Sequence, residues 1–362
     1  FPGRFTKFMK AKDLAKKLGV SPATISLVLN NKPGISDSLR HSLLKRIREM
    51  GCEDMLSPAV PQAAAAPRQE ERAHPVIVYL IYTSSDENND RFAFYPAVLE
   101  GAEMEARTNH YNLVVLHMSR EGNADLRRLV ESSGQAAGAI VQTAHIDDQI
   151  LADLATLDIP CVFVDAYRPD RNVCSVCVNN EQGIFSAVEH LKSMGHRNIG
   201  YVYGGVDNDS LLERRRCFHQ ALREYGLEDR RENYFIANHR EDSEDIAALR
   251  ERFLQAGDKM PTALMGESDR LAWLAMKALQ RSGLKVPGDV SVIGFDDRSI
   301  CTMVEPHLTS VKNSRHLMGR QCVALLQNLR RNRKLGVSIS SIKYELPAVL
   351  VPRESVKDLT QE

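Results

Sequence analysis

A short uncharged stretch, VSPATISLVLN at residues 20–30, includes polar side chains suited to hydrogen bonding with another macromolecule. At helical spacing its apolar residues share one face: Val20, Ile25, Val28 and Leu29. The opposite face is small and polar: Ser21, Ala23, Thr24 and Ser26. Hydroxyl groups on such a face can donate to phosphates or base edges, and small side chains let the backbone approach closely. We therefore expect this face to contact another molecule instead of solvent.

The basic charge of the chain is concentrated around this stretch. Residues 1–51 contain eleven Lys and Arg side chains against three acidic ones, an excess of eight positive charges. Because the whole chain is formally neutral, the remaining residues carry the opposite excess. A basic segment on an acidic body indicates that the segment binds a polyanion. We expect Lys12 and Arg40 to contact phosphates, and Asn30 to reach one.

Three short helices are predicted to present these residues. The first, AKDLAKKLG, ends at Gly19; the second has Ser21 as its N-cap and Pro22 in its first position; the third begins at Ser36 and ends before Gly51. The apolar face of the third helix comprises Leu39, Leu43, Leu44, Ile47 and Met50. Two helices joined by a tight turn predict a helix-turn-helix whose second helix enters the major groove. On these residues alone, a plain hairpin in a larger helical domain is the alternative.

The rest of the chain changes pattern twice. Residues 52–74 contain three prolines, an alanine tract and a charged run, which predict a linker. From residue 75 onward, continuous apolar strands alternate with helices, which is typical of parallel sheets covered on both faces. The segment is too long for one ordinary sheet. The predicted fold class is a small all-α helix-turn-helix domain followed by an α/β core of two parallel, doubly wound sheets, with a ligand cleft between them.

The bulk composition limits the class of protein. The chain has 362 residues and 43% hydrophobic content, which is ordinary for a globular protein of two or three domains. We find no apolar run of transmembrane length and no export signal at the start, so we expect a cytoplasmic protein without a membrane partner. Seven scattered cysteines favour reduced thiols. The lone CxxC of Cys174 and Cys177 lies in a strand-like setting and favours a structural role over a metal site.

Several motifs, in order, resemble the LacI/GalR family of transcriptional regulators. The segment KDLAKKLGVSPATISLVLNNKPG resembles the DNA-binding head of that family. Four further segments resemble its body: AVEHLKSMGHRNIGYVYGG, PTALMGESDRLAWLAMKALQRSGLKVPGDVSVIGFDD, PHLTSV and LPAVLVPRES. The resemblance runs from about residue 9 to residue 356, apart from the linker. It implies a periplasmic-binding-protein-like core of two lobes, joined by three crossings, that binds a small effector and forms a homodimer.

The resemblance also implies domain boundaries. The DNA-binding domain is expected at 1–51, the linker, an atypical hinge, at 52–74, and the effector-binding and dimerisation core at 75–356. The first lobe is expected to comprise about 75–193 and 313–338, and the second about 194–312 and 339–356.

Two departures from the family concern DNA. The family reads bases mainly through positions that match Pro22, Ala23 and Leu27, none of which is a bidentate hydrogen-bond donor. We therefore expect an operator read partly by apolar contact and by shape. The segment that matches the family's hinge helix also departs from the pattern, because Pro58 and Pro61 would break a helix there. We therefore expect looser coupling between the DNA-binding domain and the core, and less bending of the DNA.

The resemblance places the effector between the lobes. Asp296, at the end of the strand SVIGF, and Arg214 match family positions that contact the ligand, and together they suit a polyol. The alternatives are a helix N-cap for Asp296 and a surface run with Arg215 and Arg216 for Arg214. Ser268 stands where the family has Asn. Stacking on a sugar is assigned to aromatic residues after the first strand, including Phe94 and Tyr95.

The sequence therefore predicts a DNA-binding transcriptional regulator, most simply a repressor, that binds a near-palindromic operator and a carbohydrate-like effector. No cofactor, metal or catalytic group is expected, because the chain lacks phosphate-cradling loops, a nucleophile elbow and metal-ligand spacing. The alternative is a two-lobed sugar-binding protein whose head has lost specific operator recognition.

Overall fold

A computed structural model describes residues 10–30, 32, 34–50, 74–83, 95–119, 126–205, 208–237 and 242–360. The chain divides into two compact units, Phe1–Ala73 and His74–Glu362, and each is described by itself. The predicted linker and hinge lie outside the described residues, except for His74, as does Phe94.

The first unit contains the three predicted helices: α1 (Ala11–Leu18), α2 (Pro22–Leu29) and α3 (Asp37–Glu49). Gly19 has a φ of 70°, the left-handed conformation that lets the chain turn directly from α1 towards α2. Their buried side chains form one small core: Leu14, Ala15, Leu18, Ile25, Val28, Leu29, Leu43 and Ile47. The predicted apolar face of α3 is too wide, because Leu39 and Met50 are 41% and 37% exposed.

The second unit contains two six-stranded sheets. The strands of the first sheet are β1 (Val76–Thr83), β2 (Asn112–Ser119), β3 (Ala136–Gln142), β4 (Cys161–Val164), β5 (Cys174–Val178) and β11 (Ile342–Leu346). Their order is β11-β5-β4-β3-β1-β2, and every described pairing is parallel. This first lobe also includes α4 (Tyr95–Thr108), α5 (Leu126–Ser132), α6 (Asp148–Ala155) and α11 (Arg315–Lys334).

The second sheet has the same plan. Its strands are β6 (Ile199–Gly204), β7 (Tyr234–Ala237), β8 (Ala263–Gly266), β9 (Ser291–Asp296), β10 (Thr309–Lys312) and β12 (Val349–Val351). Their order is β12-β10-β9-β8-β6-β7, with only the pairing of β12 and β10 antiparallel among those described. The helices of this second lobe are α7 (Asn180–Ser193), α8 (Asp209–Glu224), α9 (Asp242–Ala256) and α10 (Asp269–Arg281). The two-sheet architecture confirms the predicted fold class.

Two of the expected lobe boundaries are wrong. Helix α7 belongs to the second lobe, because Gly183 lies so close to Phe295 and Val311 that a Cβ there would stand 2.8 and 2.9 Å from them. Strand β11 belongs to the first lobe, because it pairs with β5. The chain therefore crosses between the lobes at 178–180, 312–315 and 346–349 instead of at 193, 312 and 338. The first and third crossings touch, since the Asn179 N–H donates to the Leu346 carbonyl at 2.8 Å.

Helices α4 and α11 pack against each other at very short range in the first lobe. Two glycines allow this approach: Gly101 faces the backbone of His316, and Gly319 faces the backbone of Val98 and Ala102. Neither position has room for a Cβ, so the helix contact depends on the absence of side chains there. None of the described helices is long and apolar enough to span a lipid bilayer.

Candidate functional site

The outward surface of α2 is small, polar and uncharged. Its apolar face is buried, as predicted, through Ile25, Val28 and Leu29. The residues that were expected to approach DNA lie on the opposite side: Ser21, Pro22, Ala23, Ser26 and Asn30 are exposed, and Thr24 and Leu27 are partly so. Lys12 on α1 is exposed as well. The structure thus leaves this surface open for contact with another molecule.

Three of the polar side chains on this surface also hold α2 together. The hydroxyl of Ser21 accepts the Thr24 N–H at 3.0 Å, which is an N-cap, and its oxygen lies 2.8 Å from Thr24 Oγ1. At the other end, Asn30 Nδ2 donates to the Ser26 carbonyl at 3.0 Å. Both ends of this short helix are therefore capped by residues that were predicted to contact DNA.

Arg40 has a different role from the one expected. Its guanidinium donates to the carbonyl of Leu27 at 3.2 Å and to the carbonyl of Lys32. These oxygens belong to the last turn of α2 and the segment after it, where backbone acceptors lack intrahelical donors. Arg40 thus ties α3 to the C-terminal end of α2, and its charge complements that end of the helix dipole. A phosphate contact from the same side chain stays a prediction.

Arg40→Ala is expected to loosen α2. Losing charged hydrogen bonds of this kind costs about 1.5–3 kcal/mol, which corresponds to a rise of at least about tenfold in local opening. Hydrogen exchange measured on peptides from residues 20–50 of the full-length chain would report it. Arg48→Ala is the control, because Arg48 is exposed near the end of α3. Equal exchange in both variants would contradict the tether.

Arg214 and Asp296 meet in the interior of the second lobe. Arg214 is 3% exposed, and its Nη2 lies 3.2 Å from Asp296 Oδ1. Its Nε donates to Asn180 Oδ1 and its Nη1 to the Glu267 carbonyl, both at 2.9 Å. Arg214 is therefore no part of a surface run of arginines, which was the alternative on sequence. Its guanidinium also lies 3.8 Å from the centre of the Phe295 ring, where a cation–π contact adds to its burial.

Asp296 is held at the carboxyl end of β9 in an unusual conformation. Its φ of 111° is rare for a residue with a side chain. Its Oδ1 accepts Asn313 Nδ2 at 3.0 Å as well as the Arg214 guanidinium. The N-cap alternative fails, because the next helical turn, Ser299–Thr302, has Arg298 at its N-cap position. Asp296 therefore joins Arg214 to the crossing that contains Asn313.

Ser268 and Tyr95 are the other described residues that the family resemblance assigns to the effector. Ser268 is the N-cap of α10, where its hydroxyl accepts the Leu271 N–H at 3.4 Å. It follows Glu267, whose carbonyl binds Arg214. Tyr95 begins α4 and packs, partly buried, against the first-lobe core. Their assignment to an effector stays a prediction.

Sequence reasoning missed the residues that line the narrow space between the lobes. We call these the cleft residues: Asp165, Tyr167, Cys177, Asn180, Asp209, Ser210 and Glu213. They enclose only about 10 Å³, roughly the space of one water molecule. A ligand of sugar size therefore requires these walls to move apart. One signal was available: Asn180 follows the apolar segment that forms β5, and ligands in parallel sheets bind beyond the carboxyl ends of the strands.

The N-terminal part of α8 holds the two lobes together across this space. Asp209 Oδ1 lies 3.4 Å from His145 Nδ1, and its Oδ2 accepts the Ile146 N–H at 3.3 Å. One turn later, Glu213 Oε1 accepts Lys343 Nζ at 2.8 Å. His145, Ile146 and Lys343 all belong to the first lobe, so these are inter-lobe contacts. A change of lobe position must break or remake them.

Two carboxyl groups near the cleft have raised pKa values. Burial raises the pKa of Asp165 to about 6, although the nearby Arg214 guanidinium and the Val178 N–H lower it. Burial, followed by the charge of Asp296, raises the pKa of Asp269 to about 7. Asp269 also accepts the Arg298 N–H at 2.6 Å. In both groups burial is the main cause, because it disfavours the charged form of a carboxyl group.

Comparisons with known proteins agree with both units. Residues 10–52 match the model described as bacterial regulatory proteins, lacI family. Residues 188–356 match the model of a periplasmic binding protein-like domain. Catabolite control protein A of Priestia megaterium is 28% identical over 347 residues, which cover 95% of this chain and 98% of that protein. The transcriptional repressor CytR of Escherichia coli strain K12 is 27% identical over 338 residues, covering 92% and 94%.

Solved structures give the same result. A complex of the transcriptional regulator CelR with cellobiose matches with a TM-score of 0.65 and 25% identity, covering 96% of this chain and 99% of that one. A Lac repressor dimer bound to operator and an anti-inducer matches with a TM-score of 0.65 and 24% identity, covering 77% and 94%. The second similarity concerns the fold alone. CytR is by name a transcriptional repressor, and neither CytR nor catabolite control protein A is named as an enzyme.

Proposed function

Since this chain belongs to the LacI family of bacterial regulators, we propose that it is a repressor whose operator affinity is set by a sugar-like effector in the cleft. The observation that carries the effector role is the buried bridge between Arg214 and Asp296, which contacts the cleft residue Asn180 through Arg214 Nε. The observation that supports the DNA role is the uncharged exposed surface of α2 within a basic unit. Such a regulator works in the cytoplasm.

Operator binding by a homodimer follows from the geometry of the motif. One helix-turn-helix reads a half-site, and two related by symmetry read a near-palindrome. Because the exposed side chains of α2 lack a guanidinium, base recognition relies on hydroxyls, on apolar contact from Ala23 and Leu27, and on DNA shape. DNase footprinting of the full-length protein tests this proposal on the DNA around its own coding region. Protection of no discrete site at moderate salt would refute it, and would leave a sugar-binding protein with a non-specific head.

Lys12→Ala is expected to weaken binding to operator and to random DNA alike. Lys12 is exposed on α1, and a lysine that contacts phosphate contributes charge without sequence information. The slope of log affinity against log salt should fall by about 1. Lys259→Ala, an exposed lysine of the second unit, is the matched control and should leave the slope unchanged. A loss confined to the operator would contradict a phosphate contact.

The effector role predicts a coupling between cleft and operator. A ligand changes operator affinity only when it binds two lobe arrangements with different affinity. The inter-lobe contacts of Asp209 and Glu213 are the part of the cleft that must change between arrangements. Titrating operator complexes with ligands that raise the melting temperature, and following release by fluorescence anisotropy, would show whether the ligand induces or corepresses.

A further inference from the structure

Cationic donors contact the cleft residues Asn180 and Glu213, but protein acceptors already use these donors. All three nitrogens of Arg214 donate to protein oxygens. Lys343 Nζ lies 2.8 Å from Glu213 and 2.7 Å from Glu345. The amide of Asn180 donates to Glu213 Oε2 at 2.7 Å. A ligand that brings only hydrogen-bond acceptors would therefore have to displace existing bonds.

Acceptors, in contrast, are in excess at the same place. Three carboxylates line the cleft, those of Asp165, Asp209 and Glu213, and Asp296 adjoins it through Arg214. The Arg and Lys side chains that form ion pairs with them are Arg214 and Lys343. Moreover, Asn313 is 4% exposed, and its Oδ1 has no hydrogen-bond partner among the described residues, although its amide nitrogen binds Asp296. A buried acceptor without a donor costs free energy, so a ligand that supplies donors is favoured.

Asp165 is the acceptor best placed for an incoming cation. It lines the cleft and is partly exposed, and the described residues form no ion pair with it within 4 Å. Its Oδ1 accepts the Val178 N–H at 3.1 Å, and the Ser210 hydroxyl is a second donor to the carboxyl group. Burial is the first cause of its raised pKa, so a cation in contact with it would offset the cost of holding its carboxylate away from water.

The excess of negative charge persists when the lobes separate. Separation breaks the contact between Glu213 and Lys343, which releases one carboxylate together with one ammonium group. Lys343 keeps its second partner, Glu345, on the same strand. It also breaks the contacts of Asp209 with His145 and Ile146, which releases a further carboxylate. An arriving ligand therefore meets an acidic, acceptor-rich surface.

Resting on the proposed effector role of this cleft, we infer that the effector is a polyol with a protonated amino group, as in an amino sugar. The ammonium group of such a ligand supplies three hydrogen-bond donors and a positive charge. The hydroxyl groups of its polyol part supply further donors. A neutral sugar supplies donors without the charge. A phosphate or carboxylate supplies acceptors and a negative charge, and the cleft excludes sugars that carry one.

Calorimetric titration of the full-length protein near pH 7 tests the order of these three classes. The probes are glucosamine, galactosamine and mannosamine, each beside its parent hexose and its hexose 6-phosphate. We expect one amino sugar to bind at least about tenfold more tightly than its parent, the ratio that a charged hydrogen bond supplies, and the phosphates not to bind. Tighter binding of a parent hexose or a phosphate, or no binding by any member of the series, overturns the inference.

Asp165→Asn separates charge from shape. The substitution keeps the side-chain size, so the affinity for the amino sugar should fall about tenfold and that for the parent hexose less than about threefold. Asp258→Asn, an exposed position of the second lobe, is the control for a general loss of negative charge. Equal losses for both sugars in Asp165→Asn count against the inference. DNase footprinting with the same preparation tests the proposed function independently. A specific footprint without a preference for amino sugars would refute this inference and leave the proposed function standing.

Discussion

Arg214→Ala is expected to lower the free energy of unfolding of the second unit by roughly 3–5 kcal/mol, since removing one partner of a buried ion pair leaves the other charge uncompensated. The substitution removes a hydrogen-bond donor from three oxygens at once: Asn180 Oδ1, the Glu267 carbonyl and Asp296 Oδ1. The chain has a single tryptophan, Trp273 on α10 of the second lobe, so its fluorescence during urea unfolding measures the effect.

Arg216→Ala is the matched control for this substitution. Arg216 lies two residues further along α8 and is exposed, so its loss should change stability by less than about 0.5 kcal/mol. Arg214→Lys should resemble Arg214→Ala more than wild type, because an ammonium group cannot reproduce the forked geometry that serves three acceptors. A wild-type unfolding midpoint in Arg214→Ala would show that the bridge between Arg214 and Asp296 does not stabilise this lobe.

Gly319→Ala is expected to destabilise the first lobe by about 3 kcal/mol, the upper end of the usual cost of overpacking. The added methyl group would meet the Val98 carbonyl and the Ala102 N–H on α4, and these are backbone atoms that cannot rotate away. The two helices would have to move apart along the face of the first sheet. Differential scanning calorimetry of the full-length protein measures the loss.

Gly204→Ala provides the glycine control, because an added Cβ there would meet its nearest neighbour, Leu271, at an ordinary 3.9 Å. Its melting temperature should stay within a few degrees of wild type. If Gly319→Ala melts at the same temperature as Gly204→Ala, then the close approach of α4 and α11 is not needed for the stability of the lobe.

The fold was largely predictable because its signals are local. The N-caps Ser21 and Ser36 and the turn at Gly19 mark the ends of the first helices, and all three behave as expected. Continuous apolar strands such as β8, in which every residue is buried, distinguish a parallel core from an amphipathic sheet. The family resemblance then supplied the two-lobed arrangement, which periodicity alone does not contain.

What sequence reasoning missed depends on contacts between distant segments. Nothing local in Asn180 shows that its helix, α7, packs on the second sheet, and nothing local in Ile342–Leu346 shows that this strand pairs with β5. Arg40 was assigned to phosphate because a basic residue near a DNA-binding helix fits that role. Its carbonyl partners, Leu27 and Lys32, become visible only when α2 and α3 are packed together.

The position of Asn313 in one of the three crossings has a mechanical consequence. Any rotation of one lobe must be absorbed by torsions at these crossings, so atoms near them travel least and act as the pivot. A ligand held there by Asn313 and Asp296 is anchored equally in both arrangements and gains nothing from either. Groups farther from the crossings must therefore distinguish the two lobe arrangements. Asp209 and His145 are such groups, because the distance between them changes whenever the lobes rotate.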